Sequence, residues 1–269
     1  LTVDDSHAPR PPSVTVSWSI DSHWADDAWQ NRFLPHISEC ASIVLTTCEG
    51  VLRETYDLVF SYDNADDPFD AISFRRSAVE PHSQDDHREV PDMIIDAIRD
   101  CISALCVSAP EYVAALVARW LDDPLQILRR IALWALGSSV PSPDERIDLV
   151  VERHLLYAPG TRHEVFTLLA DAVSTASGAS LQRLFEATVQ ELPDDEFADR
   201  RRYELLHWLV DARPDWAEAI GSLAEIQARH SNWQPSEHPD LDTFMTTGFH
   251  EEAQPFDDAD FRARLVGDP

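Results

Sequence analysis

The sequence predicts an all-α protein: an irregular α-solenoid of stacked helical hairpins, of the HEAT or armadillo kind, behind a short non-helical N-terminal arm. Three observations predict it. Glycine is scarce, seven residues in 269, against a usual share of about 7%; barrels, sandwiches and nucleotide-binding α/β folds spend glycine on tight turns and phosphate loops. Apolar residues recur three and four apart through most of the chain, the spacing of one helical face. Helix-start signals return near residues 110, 124, 143, 162, 179, 198 and 214, so two helices make a unit of roughly 35–40 residues, the size of a HEAT or armadillo repeat. No strict sequence repeat accompanies that spacing, which makes the array irregular.

Residues 1–23 are Pro-rich and polar and read as an arm; within it "SVTVSWSI" (13–20) alternates apolar and polar residues, the pattern of one short strand. Residues 24–89 hold N-terminal helices and a long charged loop. Trp24, Ala28, Trp29, Phe33 and Leu34 share a face, with Pro35 kinking or restarting the helix. Ile37, Cys40, Ala41, Val44, Leu45 and Cys48 continue the stripe, and Leu52, Tyr56, Val59 and Phe60 form the next. Residues 61–89 carry no sustained period.

Residues 90–230 form the regular helical region. Val90, Ile94, Ile95, Ile98, Ile102 and Leu105 line one helix. "SAPE" (108–111), "SPDE" (142–145) and "TRHE" (161–164) each place a glutamate three residues after a serine or threonine, as a capping box requires. "DDP" (122–124) caps the next start, with Pro124 at the first helical position, and Gly137 closes that helix. The expected core includes Trp29, Ile98, Leu116, Trp120, Ile131, Trp134, Leu168 and Leu206. Residues 231–269 lose the period and end acidic.

Charge narrows the partners. There are 49 acidic residues against 21 basic ones, a net of −28, and all the basic residues are arginine. Such a balance excludes a broad nucleic-acid or anionic-membrane surface, because phosphates need cationic neutralisation. A protein partner or self-association remains. No run of about 18 apolar residues offers a membrane span, and no secretory signal is visible, so a cytoplasmic location is expected. Cys40, Cys48, Cys101 and Cys106 lack CxxC spacing and read as small buried hydrophobes. The opening "LTVDDSHAPRPP" reads like the interior of a longer protein.

The densest chemistry is "SFRRSAVEPHSQDDHRE" (73–89), with Arg75, Arg76, Glu80, His82, Asp85, Asp86 and His87. A zinc site needs three or four converging ligands, but His82 and His87 stand five apart, off a common helical face. The simpler expectation is helix entry: Ser83 or Asp85 caps a helix starting near residues 88–90, the acidic residues favour its positive end, and Arg75 and Arg76 pair with Glu80 and the aspartates as an internal buttress. A second cluster, His230, Trp233, His238 and Asp240, reads as a loop packed over the last helix. "HEVF" (163–166) lacks the second histidine of a zinc-protease helix, and Arg200, Arg201 and Arg202 read as an internally paired or solvated face. No GxxxxGK[ST], GxGxxG or GxSxG occurs. No catalytic residue, cofactor or metal is assigned.

"ISFRRSAVEPHSQDDH", "DMIIDAIRDCISAL", "LQILRRIALWAL", "RHEVFTLL" and "RRYELLHWL" resemble the helical C-terminal regions of large multi-domain bacterial proteins. Those proteins carry a sirtuin-like or a signal-transduction NTPase domain at the N-terminus, and many of them are of the anti-phage defence type. The resemblance implies a non-catalytic scaffold or sensor that mediates protein–protein contact or oligomerisation, with the chemistry in a domain outside this chain. Two alternatives stay open: a stand-alone metal-dependent enzyme built on residues 80–87, and an acidic adaptor for a basic protein.

Overall fold

Residues 19, 21–62, 71–85, 89–138 and 141–241 are described by a computed structural model, and among them the chain is helical with no strand. The expected strand at 13–20 lies outside the described residues, Ser19 aside.

Helix α1 (Ser22–Ala28) is capped by Asp21, whose carboxylate accepts from the His23 N–H. It runs into a wide π turn at Trp29–Phe33 and a tight 3₁₀ turn at Leu34–His36 that holds Pro35. Pro35 lacks the N–H an α-helix would use, so the helix restarts after it. Helix α2 (Ile37–Tyr62) then absorbs both apolar stripes that the sequence sets out separately. Its buried Ala41, Leu45, Leu52 and Tyr56 lie against α4 (Val90–Ser108), where Ile95, Ile98, Cys101 and Ile102 are fully enclosed.

Beyond α4 follow α5 (Pro110–Trp120), α6 (Gln126–Gly137), α7 (Pro143–Glu152), α8 (Arg162–Val173), α9 (Gly178–Gln190), α10 (Ala198–Ala212) and α11 (Ala217–Arg229), with the four-residue α3 (Ala71–Phe74) before α4. Helices α6, α8 and α10 pack side by side, α7 packs on both α8 and α9, and α11 packs on α10. One connected set of buried side chains runs from Trp29 to Ile226. Every expected core residue belongs to it except Trp134, which is half-buried and leans on it.

The sequence locates the helix starts within about three residues but misreads most of the caps. Only "SPDE" forms the reciprocal box: Ser142 Oγ accepts from the Glu145 N–H, and Glu145 accepts from the Ser142 N–H at 2.7 Å. Ser108 is instead the last residue of α4, its hydroxyl donating to the Ala104 carbonyl. At α6 the start slips two residues beyond Pro124: Asp123 accepts from the Leu125 N–H at 3.0 Å, and Leu125 takes the cap position. Thr161 precedes α8 without a capping bond, because Glu164 is drawn inward to a buried arginine. The cap of α4 is not Ser83 or Asp85. Glu89 and Asp92 form that box between themselves.

All four cysteines are free thiols, Cys101 buried and the others half-buried. Burial pushes Cys48 up to about 11 and Cys101 up to about 12, so they sit as neutral hydrophobes. Among the described residues no helix is long and apolar enough to cross a membrane.

Candidate functional site

The segment from residue 75 to 82, between α3 and a short 3₁₀ turn at Ser83–Asp85, has no ladder or helix of its own, yet Ala78 and Val79 are completely buried. Buried backbone carbonyls must find donors, and here three arginines from three parts of the chain supply them. Arg76, only 3% exposed, donates to the carbonyls of Ala78 and Val79. Arg99 of α4 donates to Val79 as well. Arg130 of α6 reaches the carbonyls of Ser73 and Arg76 at 2.6 Å each and that of Ser77 at 2.9 Å.

Each guanidinium is neutralised by acids from the packed helices. Arg130 forms a fork with Glu164 of α8, its Nε and Nη2 donating at 2.9–3.1 Å. All five of its N–H donors are thereby used, a geometry lysine cannot copy. Arg76 binds Asp96 of α4 at 2.7 Å, with Asp85 at 3.5 Å and Asp92 at 3.8 Å. Desolvation pulls the Arg76 pKa down despite those acids. Asp85 also accepts from the Ser77 N–H at 2.9 Å, folding the loop back on itself.

His163, on the first turn of α8, closes the site. Its Nδ1 lies 2.6 Å from Asp240 and its Nε2 2.8 Å from Glu80. Burial opposes a charge there, but two carboxylates on opposite ring nitrogens overcome it and lift the pKa to about 10. Burial likewise works to raise Glu80 and Asp240, and the His163 cation wins, holding both below their ordinary values. The group is an imidazolium clamp joining the loop, α8 and the C-terminal segment. Beside it Arg76, Arg130, Arg162, His163 and Asp240 line a small cavity of about 50 Å³, on the scale of a few water molecules. Gly160 borders it in the left-handed region, φ +71°, where an added Cβ would fall 1.4 Å from Gln126 Nε2.

Of the residues marked by sequence, Arg76 and Asp85 come together as a buttress, as expected. Arg75 does not join them; it pairs with Glu89 near the surface. Glu80 turns away from both arginines to His163. His82 accepts from the Gln84 N–H at 3.2 Å and sets its ring edge-on to His163. Asp86 and His87 lie outside the described residues. Among the described residues no three His, Cys, Asp or Glu side chains converge as a metal-binding group. Asp240 leaves the cluster assigned to it, for His163, while His230 stacks on Trp233 at 3.8 Å. Arg200 and Arg201 are internally paired as expected, Arg200 with Glu204 and Arg201 with Asp195; Arg202 lies over the Phe185 ring.

Sequence reasoning misses Arg130, Glu164 and His163 as members of this site. "LRRIA" and "TRHEV" did offer a signal: an arginine and a glutamate at positions where the helix period demands an apolar residue. Comparison with known proteins found no match to any family model, curated protein or solved structure.

Proposed function

We propose that the chain is a non-catalytic helical scaffold or sensor that holds protein partners, or copies of itself, in a larger bacterial assembly of the kind its sequence resembles. The observation that carries this reading is the order of packing. Helices α6, α8 and α10 lie side by side, and α5, α7 and α11 pack on α6, α8 and α10 in turn, which is how hairpins α5–α6, α7–α8 and α10–α11 would stack in an irregular HEAT-like array. Such arrays bury one continuous core and leave long ridges and grooves of helix surface free for partners.

The loop at 73–89 is in this reading a structural keystone. Its described arginines, Arg75 and Arg76, are spent on acids and backbone carbonyls and its Glu80 on His163, and the anti-phage association and cytoplasmic location belong to the same proposal. The purified chain should turn over neither NAD nor nucleoside triphosphates, and chemical cross-linking of the tagged chain in its native host should return a reproducible protein partner or self-contacts. Robust hydrolysis by the chain alone would overturn the proposal.

A further inference from the structure

A groove of about 610 Å³ opens between α5 and α7, floored by the end of α6. Val113, Val117 and Leu121 form one wall, Leu149 the other, and Leu136 the floor. Ala114 and Ala118, one turn apart on α5 and both exposed, leave its mouth low and wide. Helices α7 and α9 pack directly on each other; α5 and α7 have no comparable contact. The groove is therefore a place in the outer layer where two neighbouring helices stand apart over apolar floor.

Charge identifies the occupant. Glu145 is the one charged side chain lining the groove. Exposed Glu111 and Glu152 stand at the start of α5 and the end of α7. The arginines of those two helices are engaged elsewhere: Arg119 binds Glu49 of α2 at 2.7 Å, and Arg146 binds Asp171 of α8 and the Pro141 carbonyl. The last arginine nearby, Arg153, pairs with Asp122. The groove thus offers apolar floor with acidic edges, in a chain of net charge −28.

We propose that this groove binds an amphipathic helix of a partner protein, its apolar stripe seated between Ala114 and Ala118 of α5 and Leu149 of α7 and its flanks rich in arginine or lysine. Helix-in-groove recognition has this form, with anchors at i, i+3 or i+4 and i+7, and opposite charge at the rim sets specificity and encounter rate. The proposal rests on the scaffold reading and names the class of partner.

The test is selection from a displayed library of random helical peptides against the full chain. The enriched peptides should carry an apolar stripe flanked by basic residues and weaken as salt rises. Binding should fall about tenfold or more in Ala118→Trp and in Ala114→Trp, both at exposed positions where the fold tolerates bulk. It should fall several-fold in the double variant Glu111→Gln, Glu145→Gln; glutamine at 145 keeps the Ser142 capping geometry. A bound peptide should shield Cys106 from alkylation. Enrichment of acidic or uncharged peptides, or no enrichment beyond that on Ala118→Trp, overturns the proposal. So does a chain that sediments as a dimer and is made monomeric by Ala118→Trp, since the groove would then hold a second copy. Peptides that bind Ala118→Trp equally well remove the groove but leave the scaffold reading standing; turnover of NAD or nucleotide removes the scaffold reading whatever the peptides do.

Discussion

At the scale of single residues, His154 is the sharpest departure from backbone preference. It is the one described non-glycine residue at positive φ, 55°. The bonds around it explain why: the Leu155 N–H reaches back to the Val150 carbonyl, the closure of a helix C-terminus in which the residue after the cap turns left-handed. Glycine holds that position at no steric cost, and histidine pays about 1–2 kcal/mol for it. Its ion pair with Glu191, 3.4 Å with a 79%-exposed imidazole, returns little. His154→Gly should therefore stabilise the chain by about 1 kcal/mol and raise Tm by roughly 2–4 °C; a lower Tm would show that the imidazole holds more than the helix end.

At the scale of elements, the 75–82 segment is held by side chains, so its stability depends on arginine geometry. Arg130→Met should cost about 3–5 kcal/mol, because it strands Glu164, whose side chain is 1% exposed, as an unpaired buried charge. Adding Glu164→Leu removes that charge and restores only part of the loss, since the carbonyls of Ser73, Arg76 and Ser77 still lack their donor. Urea melts of the single and double variants, with hydrogen exchange at Ser77–Val79, check this; full recovery in the double variant would reduce Arg130 to a mere counter-ion. The His163 clamp gives a second outcome, in pH. Folding raises His163 from 6.5 to about 10, so its contribution is whole below pH 6.5 and is lost as pH rises through 10. Glu80 and Asp240 are held below their ordinary 4.5 and 3.8, so theirs is whole above those values and is lost as pH falls through the lower folded ones. The clamp is strongest between about pH 4.5 and 6.5. A fluorophore at Glu237 should report release of residues 234–241 toward pH 10, and His163→Gln should abolish that transition.

At the scale of the whole molecule, a net charge of −28 works against compaction through self-repulsion. Many ion pairs cross between helices, as Arg119 does from α5 to Glu49 of α2 at 2.7 Å and Arg183 from α9 to Asp148 of α7 at 2.5 Å. The more exposed of them contribute about 0–1 kcal/mol each. Screening the unbalanced acids should outweigh weakening those pairs, so Tm should rise between about 20 mM and 500 mM sodium chloride. A falling Tm in the same calorimetric series would mean that the ion pairs dominate.

The helices themselves were legible because a 3.6-residue period and capped starts are local properties. The stripe through Ile95, Ile98 and Ile102 or through Leu205, Leu206 and Leu209 can be read in a dozen residues, and all six side chains are buried. Caps were less legible, because the Ser108 hydroxyl bonds back within its own helix to the Ala104 carbonyl, and the Glu164 that would complete the Thr161 box is taken by Arg130 of α6. The site was least legible. Arg76 meets Asp96 from 20 residues away, Arg130 meets Glu164 from 34, and His163 meets Glu80 and Asp240 from 83 and 77. The helical character of the described residues, the helix starts and most of the core were readable in advance, since each follows from residues within a turn or two of one another. Which acid faces which arginine, and that helices α5 and α7 stand apart, depend on the packing of distant elements, because burial in a shared core brings together groups that no local period relates.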